Sequence, residues 1–87
     1  MTLMDIVLDH ENMRITYDKE ADAVYIYLLK DEELKPAWVH FTYPCDPVET
    51  KAMINLDFNQ DHVLGGIEIM NASEILPNSI LDSAERI

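Results

Sequence analysis

The sequence predicts an α+β domain, an antiparallel sheet of about five strands with one or two short C-terminal helices. Residues 54–58 alternate apolar and polar side chains, the polar stretch 59–62 follows at once, and the periodicity changes after Met70. Alternation with a period of two is typical of a strand with one buried face. With 87 residues there is room for one modest core, so we expect a single domain over residues 13–87 after an N-terminal extension, residues 1–12.

The first two strands form a predicted hairpin near the start of the domain. Residues 14–17 and 23–29 are rich in the β-branched and aromatic side chains that favour strands. The polar residues 18–22 connect them, and we expect this connection to curl into one helical turn that begins at Asp18. Alternation in the second strand predicts two tyrosines on one face and three aliphatic side chains on the other: Tyr25 and Tyr27 against Val24, Ile26 and Leu28.

A third strand is predicted over residues 37–43, which carry most of the large side chains. Pro44 and Pro47 end it, because proline donates no hydrogen bond to a strand ladder. Cys45 lies between them and is the only cysteine of the chain, which excludes an internal disulfide. We favour a packed loop cysteine over a thiol nucleophile with His40 as its base, because the acids near Cys45 disfavour a thiolate.

The clearest element is the hairpin that follows, in which two alternating strands flank the polar stretch 59–62. If these residues form the loop, His62 ends it in the left-handed conformation that a short turn with a bulge requires. One face of the hairpin is then polar and carries Asn55, Asp57 and Glu68. The predicted apolar pairs are Phe58 with Val63, Leu56 with Gly65, and Ile54 with Ile67.

Beyond this hairpin the apolar spacing becomes that of short helices. Asn71 and Glu74 are spaced as an N-cap pair for a helix over residues 72–76. Ser79 indicates the start of a second helix, which is too short to be stable unless it packs on the sheet or on another chain. Four apolar residues share one face of this second helix: Ile80, Leu81, Ala84 and Ile87.

The charge of the chain is strongly negative, with 17 acidic residues against 6 basic ones and a formal net charge of -11. Direct binding to nucleic acid is disfavoured, because phosphate contacts depend on cationic side chains. A basic protein partner, or cations, are favoured instead. No segment is apolar enough to cross a membrane and residues 1–8 lack the basic start and long apolar stretch of a secretory signal, so we expect a cytoplasmic protein.

The tip of the central hairpin carries oxygen ligands at the spacing of a calcium loop. Asp57, Asn59 and Asp61, with Glu68 eleven residues after the first, follow the pattern D-x-[DN]-x-[DN]-G-x5-E. His62 stands where that loop needs glycine, and the flanking residues alternate as strands, whereas such a calcium loop lies between helices. The four oxygen residues are therefore metal-site candidates, and a strand hairpin with a polar tip explains the same residues without a metal.

A wider carboxylate site is the alternative function. Asp57 and Glu68, joined by Asp18 or Asp22, would bind a divalent cation or carry out weak metal-dependent hydrolysis. The simpler interpretation makes Asp18 and Asp22 loop and cap residues and Glu68 an exposed strand residue. Glycine-rich phosphate loops, serine-nucleophile elbows and paired His-Glu zinc motifs are absent from the sequence, so we assign no catalytic residue and no cofactor.

Aromatic side chains are the candidates for a contact with another molecule. In so small a protein, large aromatic residues belong to the core or to a dimer interface, or else form a patch for a ligand or partner. An open sheet also leaves its edges and part of a face uncovered, so we expect a homodimer. The interface candidates are Tyr25, Tyr27, Trp38 and Tyr43.

Two blocks of the chain resemble a known family. Residues 14–27, RITYDKEADAVYIY, and residues 53–76, MINLDFNQDHVLGGIEIMNASEIL, are similar to the paired motifs YD-x-EADA-x-YI and LDxDxxGxLVGIEIL-x-AS. These motifs belong to the small prokaryotic proteins called domain of unknown function 2283. His62 departs from the glycine that is usual there. The family brings no established activity, and its members often resemble partners of a ribonuclease-like toxin, which implies an antitoxin role.

The charge, the missing catalytic motifs and this resemblance lead to one leading hypothesis. We expect a small non-enzymatic, acidic interaction module, an antitoxin-like binder of a basic partner protein. The carboxylate-lined cation site or weak hydrolase is the second hypothesis. The two differ in a simple observable, since a divalent cation bound to the folded state raises its stability.

Overall fold

The structure, a computed structural model, describes residues 13–45 and 51–87 of the chain. The predicted N-terminal extension, residues 1–12, lies outside the described residues. A short 3-10 helix, Asp31–Glu33, follows the second strand. The other elements, in chain order, are β1 (Arg14–Asp18), β2 (Ala23–Tyr27), β3 (Phe41–Pro44), β4 (Met53–Phe58), β5 (Leu64–Met70), α1 (Ala72–Ile75), α2 (Asn78–Ser83) and β6 (Glu85–Arg86).

The strands form one sheet in the order β3-β4-β5-β2-β1-β6, which confirms the predicted α+β class. The sheet is mixed, however, because β6 runs parallel to β1 while the other neighbours are antiparallel. The strand β6 was not predicted, because two residues are too few for alternation to reveal. It pairs Glu85 with Thr16 and Arg86 with Tyr17, and so covers the outer edge of β1.

The hairpin of β1 and β2 forms as predicted, but its connection differs from the prediction. Thr16 lies opposite Tyr25 and Tyr17 lies opposite Val24. The connection is a turn and not a helical turn, with Asp22 at a φ of 52°. The Ala21 N–H donates to the Asp18 carboxylate at 3.2 Å, so Asp18 does stabilise the turn. β2 ends at Tyr27, two residues earlier than expected.

The third strand is shorter than predicted and starts at Phe41 instead of residue 37. Ala37 has a φ of 62°, a left-handed conformation that an extended strand does not allow. The residues before Phe41 instead form a turn, in which the Trp38 N–H donates to the Lys35 carbonyl at 3.0 Å. Pro44 is the last residue of the strand, one residue beyond the predicted end.

The central hairpin forms as predicted, but its register differs by one residue at Phe58 and by two residues over the rest of β4. His62 has the expected left-handed conformation, with a φ of 64°. A bulge then inserts one extra residue in β5, between the pairs formed by Asp57 and Phe58. A shift of two residues keeps side chains on their face, so the apolar face survives beyond the bulge, whereas next to it Leu64 replaces Val63 opposite Phe58. The observed pairs are Phe58 with Leu64, Leu56 with Ile67, and Ile54 with Ile69.

The two helices occur where predicted, but neither starts by the predicted cap. Asn71 precedes α1 with a φ of 57°, and its side chain makes no capping hydrogen bond. Asp22 supplies the cap instead, from the turn between β1 and β2: its carboxylate accepts the Ser73 N–H at 3.0 Å. The second helix begins at Asn78, directly after Pro77 and one residue before the start predicted at Ser79.

The core lies between the helices and one face of the sheet. Val24 and Ala72 are fully buried there, and Leu81 of α2 is 7% exposed. Ile87, which was expected to share the apolar face of α2, is 71% exposed. In the described residues, no helix is long and apolar enough to cross a membrane. The core cluster consists of Tyr17, Val24, Ala52, Ile69, Ala72, Leu81 and Ala84.

Candidate functional site

The side of the sheet that faces away from α1 and α2 is here called the open face. Because side chains alternate along each strand, every second residue lies on the open face and the others face the core. Asn55, Asp57 and Glu68 share this face, as predicted for the polar side of the central hairpin. Thr16, Tyr25 and Glu68 lie side by side across β1, β2 and β5, and Asn55 continues that row on β4. A second row contains Arg14, Tyr27, Gly66, Asp57 and Thr42.

Asp57 is the most buried carboxylate of the open face, with 8% of its surface exposed. The hydroxyl groups of Tyr25 and Thr42 both donate to it, each at 2.5 Å. Both donors are neutral, and among the described residues no Lys or Arg forms an ion pair with Asp57. Burial, together with the bond to Asp57, raises the pKa of Tyr25 far above its usual range, and Tyr25 therefore remains a donor at physiological pH.

Glycine makes room for this arrangement. A Cβ at Gly66 would overlap the ring and hydroxyl of Tyr25, so the ring lies where a side chain of β5 would otherwise stand. The Tyr27 ring packs beside it, with a centroid separation of 4.6 Å. Gly66 therefore leaves the space in which Tyr25 packs beside Tyr27 on the open face.

The outer part of the open face already binds one guanidinium group of this chain. The Arg14 side chain donates two hydrogen bonds to Glu85, at 2.9 and 3.1 Å, and its guanidinium carbon lies 5.4 Å from the centre of the Tyr27 ring. Arg14 lowers the pKa of Glu85 below its usual value, through the hydrogen bond first and the charge second. A carboxylate and a tyrosine ring together thus hold an arginine here.

A cavity of about 230 Å³ opens on the same face beside Thr16. The Thr16 side chain is 2% exposed, and its hydroxyl oxygen is buried without a hydrogen-bond partner among the described residues. Two carboxylates, Asp18 and Glu68, line the cavity together with the two tyrosines. Asn55 donates to one oxygen of Glu68 at 3.0 Å.

The four metal-site candidates are divided between two places. Asp57 and Glu68 lie on the open face, each with hydrogen bonds of its own. The Asn59 side chain accepts the N–H groups of Asp61 and Val63, at 2.9 and 3.0 Å, so it stabilises the hairpin turn. Within the described ranges, no three His, Cys, Asp or Glu side chains come close enough to hold a metal ion.

Asp22, the other carboxylate considered for that site, has a structural role. Its two oxygens accept the Tyr17 hydroxyl at 2.8 Å and the Ser73 hydroxyl at 2.7 Å. The bond from Ser73, followed by that from Tyr17, lowers the pKa of Asp22 below its usual value. Asp22 thus connects the turn after β1 to the first turn of α1, whereas Asp18 lines the cavity on the open face.

The aromatic interface candidates do not form one patch. Tyr25 and Tyr27 are neighbours on the open face. Trp38 packs over Gly65, where an added Cβ would lie 2.5 Å from its ring. Tyr43 belongs to the edge strand β3 and is 62% exposed. His40 and Cys45 flank that strand and are roughly 17 Å apart along it, too far for a base and its thiol.

The cavity beside Thr16 and the ion pair of Arg14 with Glu85 were not predicted from the sequence. Thr16 alternates with core residues and carries no motif, so only its alignment with Tyr25 and Glu68 across three strands reveals it. That alignment depends on the strand order, which the sequence did not supply. The ion pair needs β6, which was not predicted.

The fold and the site define a class of protein: a small two-layer α+β domain with one sheet face covered by helices and the other lined by carboxylates and tyrosines. The chain belongs to the family described as protein of unknown function, DUF2283, whose model matches residues 14–73. The resemblance seen in the sequence is thereby confirmed. Comparison with curated proteins and with solved structures found no match. The matched range includes both Asp22 and Ser73, so their hydrogen bonds join the two motif blocks.

Proposed function

We propose that this protein is a small non-enzymatic, antitoxin-like interaction module of the cytoplasm, which binds a basic segment of a partner protein on its open face. One observation carries the proposal: the open face presents the carboxylates of Asp18 and Glu68, with Asp57 buried in the same face, and in the described residues no Lys or Arg pairs with any of them. A basic segment supplies the missing positive charge.

The distribution of charge supports this choice of partner. The chain has 17 acidic residues and 6 basic ones, and within residues 13–45 and 51–87 the single ion pair joins Arg14 to Glu85. Uncompensated acidic charge accelerates encounter with a basic protein, repels acidic ones and disfavours nucleic acid. The tyrosine pair adds large, rigid contact surface of the kind enriched in protein interfaces.

Capture from the native host tests the proposal. The full chain is immobilised at an ionic strength of about 0.01 M and eluted at about 1 M, where the Debye length falls from about 30 to about 3 Å. We expect a basic protein that is retained by the wild type and released by salt. The double variant Asp18→Asn, Glu68→Gln should lose it. The matched control, Glu74→Gln with Asp82→Asn, removes the same charge from exposed positions on the helices and should retain it.

Two results would contradict the proposal. One is the absence of any salt-released basic protein. The other is capture that both double variants weaken equally, since that would make net charge, and not the open face, responsible.

The alternative cation site has a direct test of its own. Thermal unfolding is measured with calcium, magnesium, manganese and zinc in turn, since a ligand at about one hundred times its dissociation constant adds about 2.7 kcal/mol. Stabilisation that Glu68→Gln abolishes would favour the cation site over the interaction module. No shift with any metal would end the alternative.

Self-association stays a prediction, and the edges of the sheet do not favour it. The Cys45 N–H donates to Ile54 of β4, so by alternation the backbone groups of Thr42 and Pro44 face outward, and Pro44 offers no donor. The other edge is the short, charged β6. A homodimer would therefore use the open face. A sedimentation mass of 10.0 kDa at micromolar concentration would contradict it.

A further inference from the structure

We propose that the cavity beside Thr16 binds the guanidinium group of a single arginine side chain from the partner. The inference rests on the proposed function and names the chemistry that the open face recognises. Three independent features carry it: a buried hydroxyl group without a partner, two flanking carboxylates, and a neighbouring guanidinium that the chain already binds in the same way.

The hydroxyl group of Thr16 is the first feature. A buried polar atom without a hydrogen bond costs about 1–3 kcal/mol, and such atoms are rare in folded proteins. Thr16 is 2% exposed and lines the cavity, and its oxygen has no partner in the part of the chain that the structure describes. A donor that enters the cavity satisfies this oxygen.

The two carboxylates determine the charge of that donor. Glu68 lies two strands from Thr16, roughly 10 Å between Cα atoms, and Asp18 lies two residues along β1, roughly 7 Å away. Both line the cavity, and neither makes an ion pair within residues 13–45 and 51–87. The Asn55 amide uses one oxygen of Glu68, and the Ala21 N–H uses one of Asp18, which leaves each carboxylate with acceptor capacity for a cation.

The size of the cavity selects a side chain and not a cofactor. Its volume of about 230 Å³ is below the roughly 300–1,000 Å³ of ordinary small-molecule pockets. The acceptors come from two strands, Thr16 and Asp18 from β1 and Glu68 from β5, so one planar group with several N–H donors reaches more of them than a compact ammonium group does. Within the described residues the carboxylates do not converge into a metal site.

The chain itself provides the precedent for this geometry. Arg14 lies over the Tyr27 ring while it donates two hydrogen bonds to Glu85. The cavity offers the same two components, a carboxylate and the Tyr25–Tyr27 pair, plus the Thr16 hydroxyl. Arginine prefers such stacked, bidentate sites more strongly than lysine does.

The test is a titration of the full, isotope-labelled chain with three short peptides, followed by NMR. The peptides are glycine-rich and differ at one residue, which is arginine, citrulline or lysine. Citrulline keeps the shape of arginine without its charge. We expect the arginine peptide to shift the signals of Thr16, Tyr25 and Glu68 and to bind about tenfold more tightly than lysine, with citrulline weaker still.

Two variants show whether the cavity is responsible. Thr16→Val keeps the shape of the side chain but removes the orphan oxygen, so its melting temperature should equal or exceed that of the wild type while arginine affinity falls about tenfold. Glu68→Gln retains an acceptor for Asn55 and should weaken arginine binding by a similar factor. Glu74→Gln, on exposed α1, serves as the control with the same loss of charge and should bind like the wild type.

Each other outcome overturns this inference. Citrulline that binds as well as arginine would exclude recognition by charge. Shifts centred on the acidic 3-10 helix Asp31–Glu33 would place the cation elsewhere on the surface. If Thr16→Val bound arginine as tightly as the wild type, the Thr16 hydroxyl would have no part in binding. In these cases the proposed function stands if the open-face double variant still loses its partner, so failure of the cavity and failure of the module are distinguishable.

Discussion

Both faces of the sheet bury residues of the β1–β2 hairpin, but only the covered face surrounds them with suitable partners. Val24 on the covered face is fully buried among apolar side chains, and so is Ala72 beneath it at the start of α1. Thr16 on the open face is buried almost as deeply, yet its hydroxyl has no partner. One strand pair therefore supplies both a satisfied core and an unsatisfied site, and burial alone does not separate structure from function.

The carboxylates of the two faces also differ in how many hydrogen-bond donors they have. Asp22, on the helix side, has its carboxylate oxygens satisfied by Tyr17 and Ser73 and serves the fold. Glu68, on the open side, accepts one amide hydrogen bond and faces a cavity. We infer that the covered face contributes stability and the open face contributes recognition, so changes on each should affect different measurements.

The largest effect on stability should come from the covered face. Leu81→Ala removes a side chain that is 7% exposed in the core, and we expect it to lower the free energy of unfolding by about 2–5 kcal/mol. Urea denaturation measures it. Ile87→Ala, at a side chain that is 71% exposed, is the control and should change the free energy by less than about 0.5 kcal/mol. Equal losses for both would mean that α2 does not close the core.

A smaller effect is expected where the open face is packed most tightly. Gly66→Ala inserts a methyl group into the space of the Tyr25 ring, and we expect a loss of about 1–3 kcal/mol from this overpacking. The displaced ring also loses its bond to Asp57. The double variant Gly66→Ala, Tyr25→Ala should lose less stability than the sum of the two single variants, because the methyl group then has room. Additive losses in urea denaturation would contradict this account.

The bond from Tyr25 to Asp57 should contribute still less. Tyr25→Phe keeps the ring but leaves one oxygen of a buried carboxylate without its donor, so we expect a loss of about 1 kcal/mol. Thr42 continues to donate to the other oxygen. Tyr27→Phe is the matched control, since in the described part of the chain its hydroxyl makes no hydrogen bond. Losses of the same size in both variants would show that the ring and not the bond matters.

Alternation along the strands was enough to predict which residues share a face. Asn55, Asp57 and Glu68 were expected together on a polar side and are found there, and His62 adopts its predicted conformation. The register was wrong because apolar partners match at two offsets that differ by two residues. Only the bulge in β5 decides between them, and it lies at the glycine pair, where Trp38 and Tyr25 pack against the backbone of Gly65 and Gly66.

The site was less predictable than the fold for a related reason. Its parts come from strands far apart in the sequence, since Glu68 and Thr16 become neighbours of Tyr25 only when β5 and β1 lie on either side of β2. The cap of α1 shows the same limit: local spacing favoured Asn71, whereas Asp22, about fifty residues earlier, supplies the acceptor. Alternation predicts which side chains share a face of the sheet, and the strand order determines which of them become neighbours.

The smallest effect concerns pH and the carboxylate of the covered side. The hydrogen bonds from Ser73 and Tyr17 favour ionised Asp22 and lower its pKa in the folded protein. Its stabilising contribution is therefore complete above the unfolded pKa, about 4, and is lost as the pH falls through the lower folded value. Asp22→Asn should reduce the melting temperature by a few degrees at neutral pH and by less near pH 2.

The matched variant Asp82→Asn isolates this contribution, because Asp82 is exposed on α2. Its melting temperature should follow that of the wild type across the same pH series. The test also distinguishes the two faces, since Asp22→Asn should leave arginine binding unchanged while Glu68→Gln should weaken it. A gap between wild type and Asp22→Asn that stays constant down to acid pH would mean that Asp22 stabilises α1 as a neutral acceptor, and that its ionisation contributes nothing to folding.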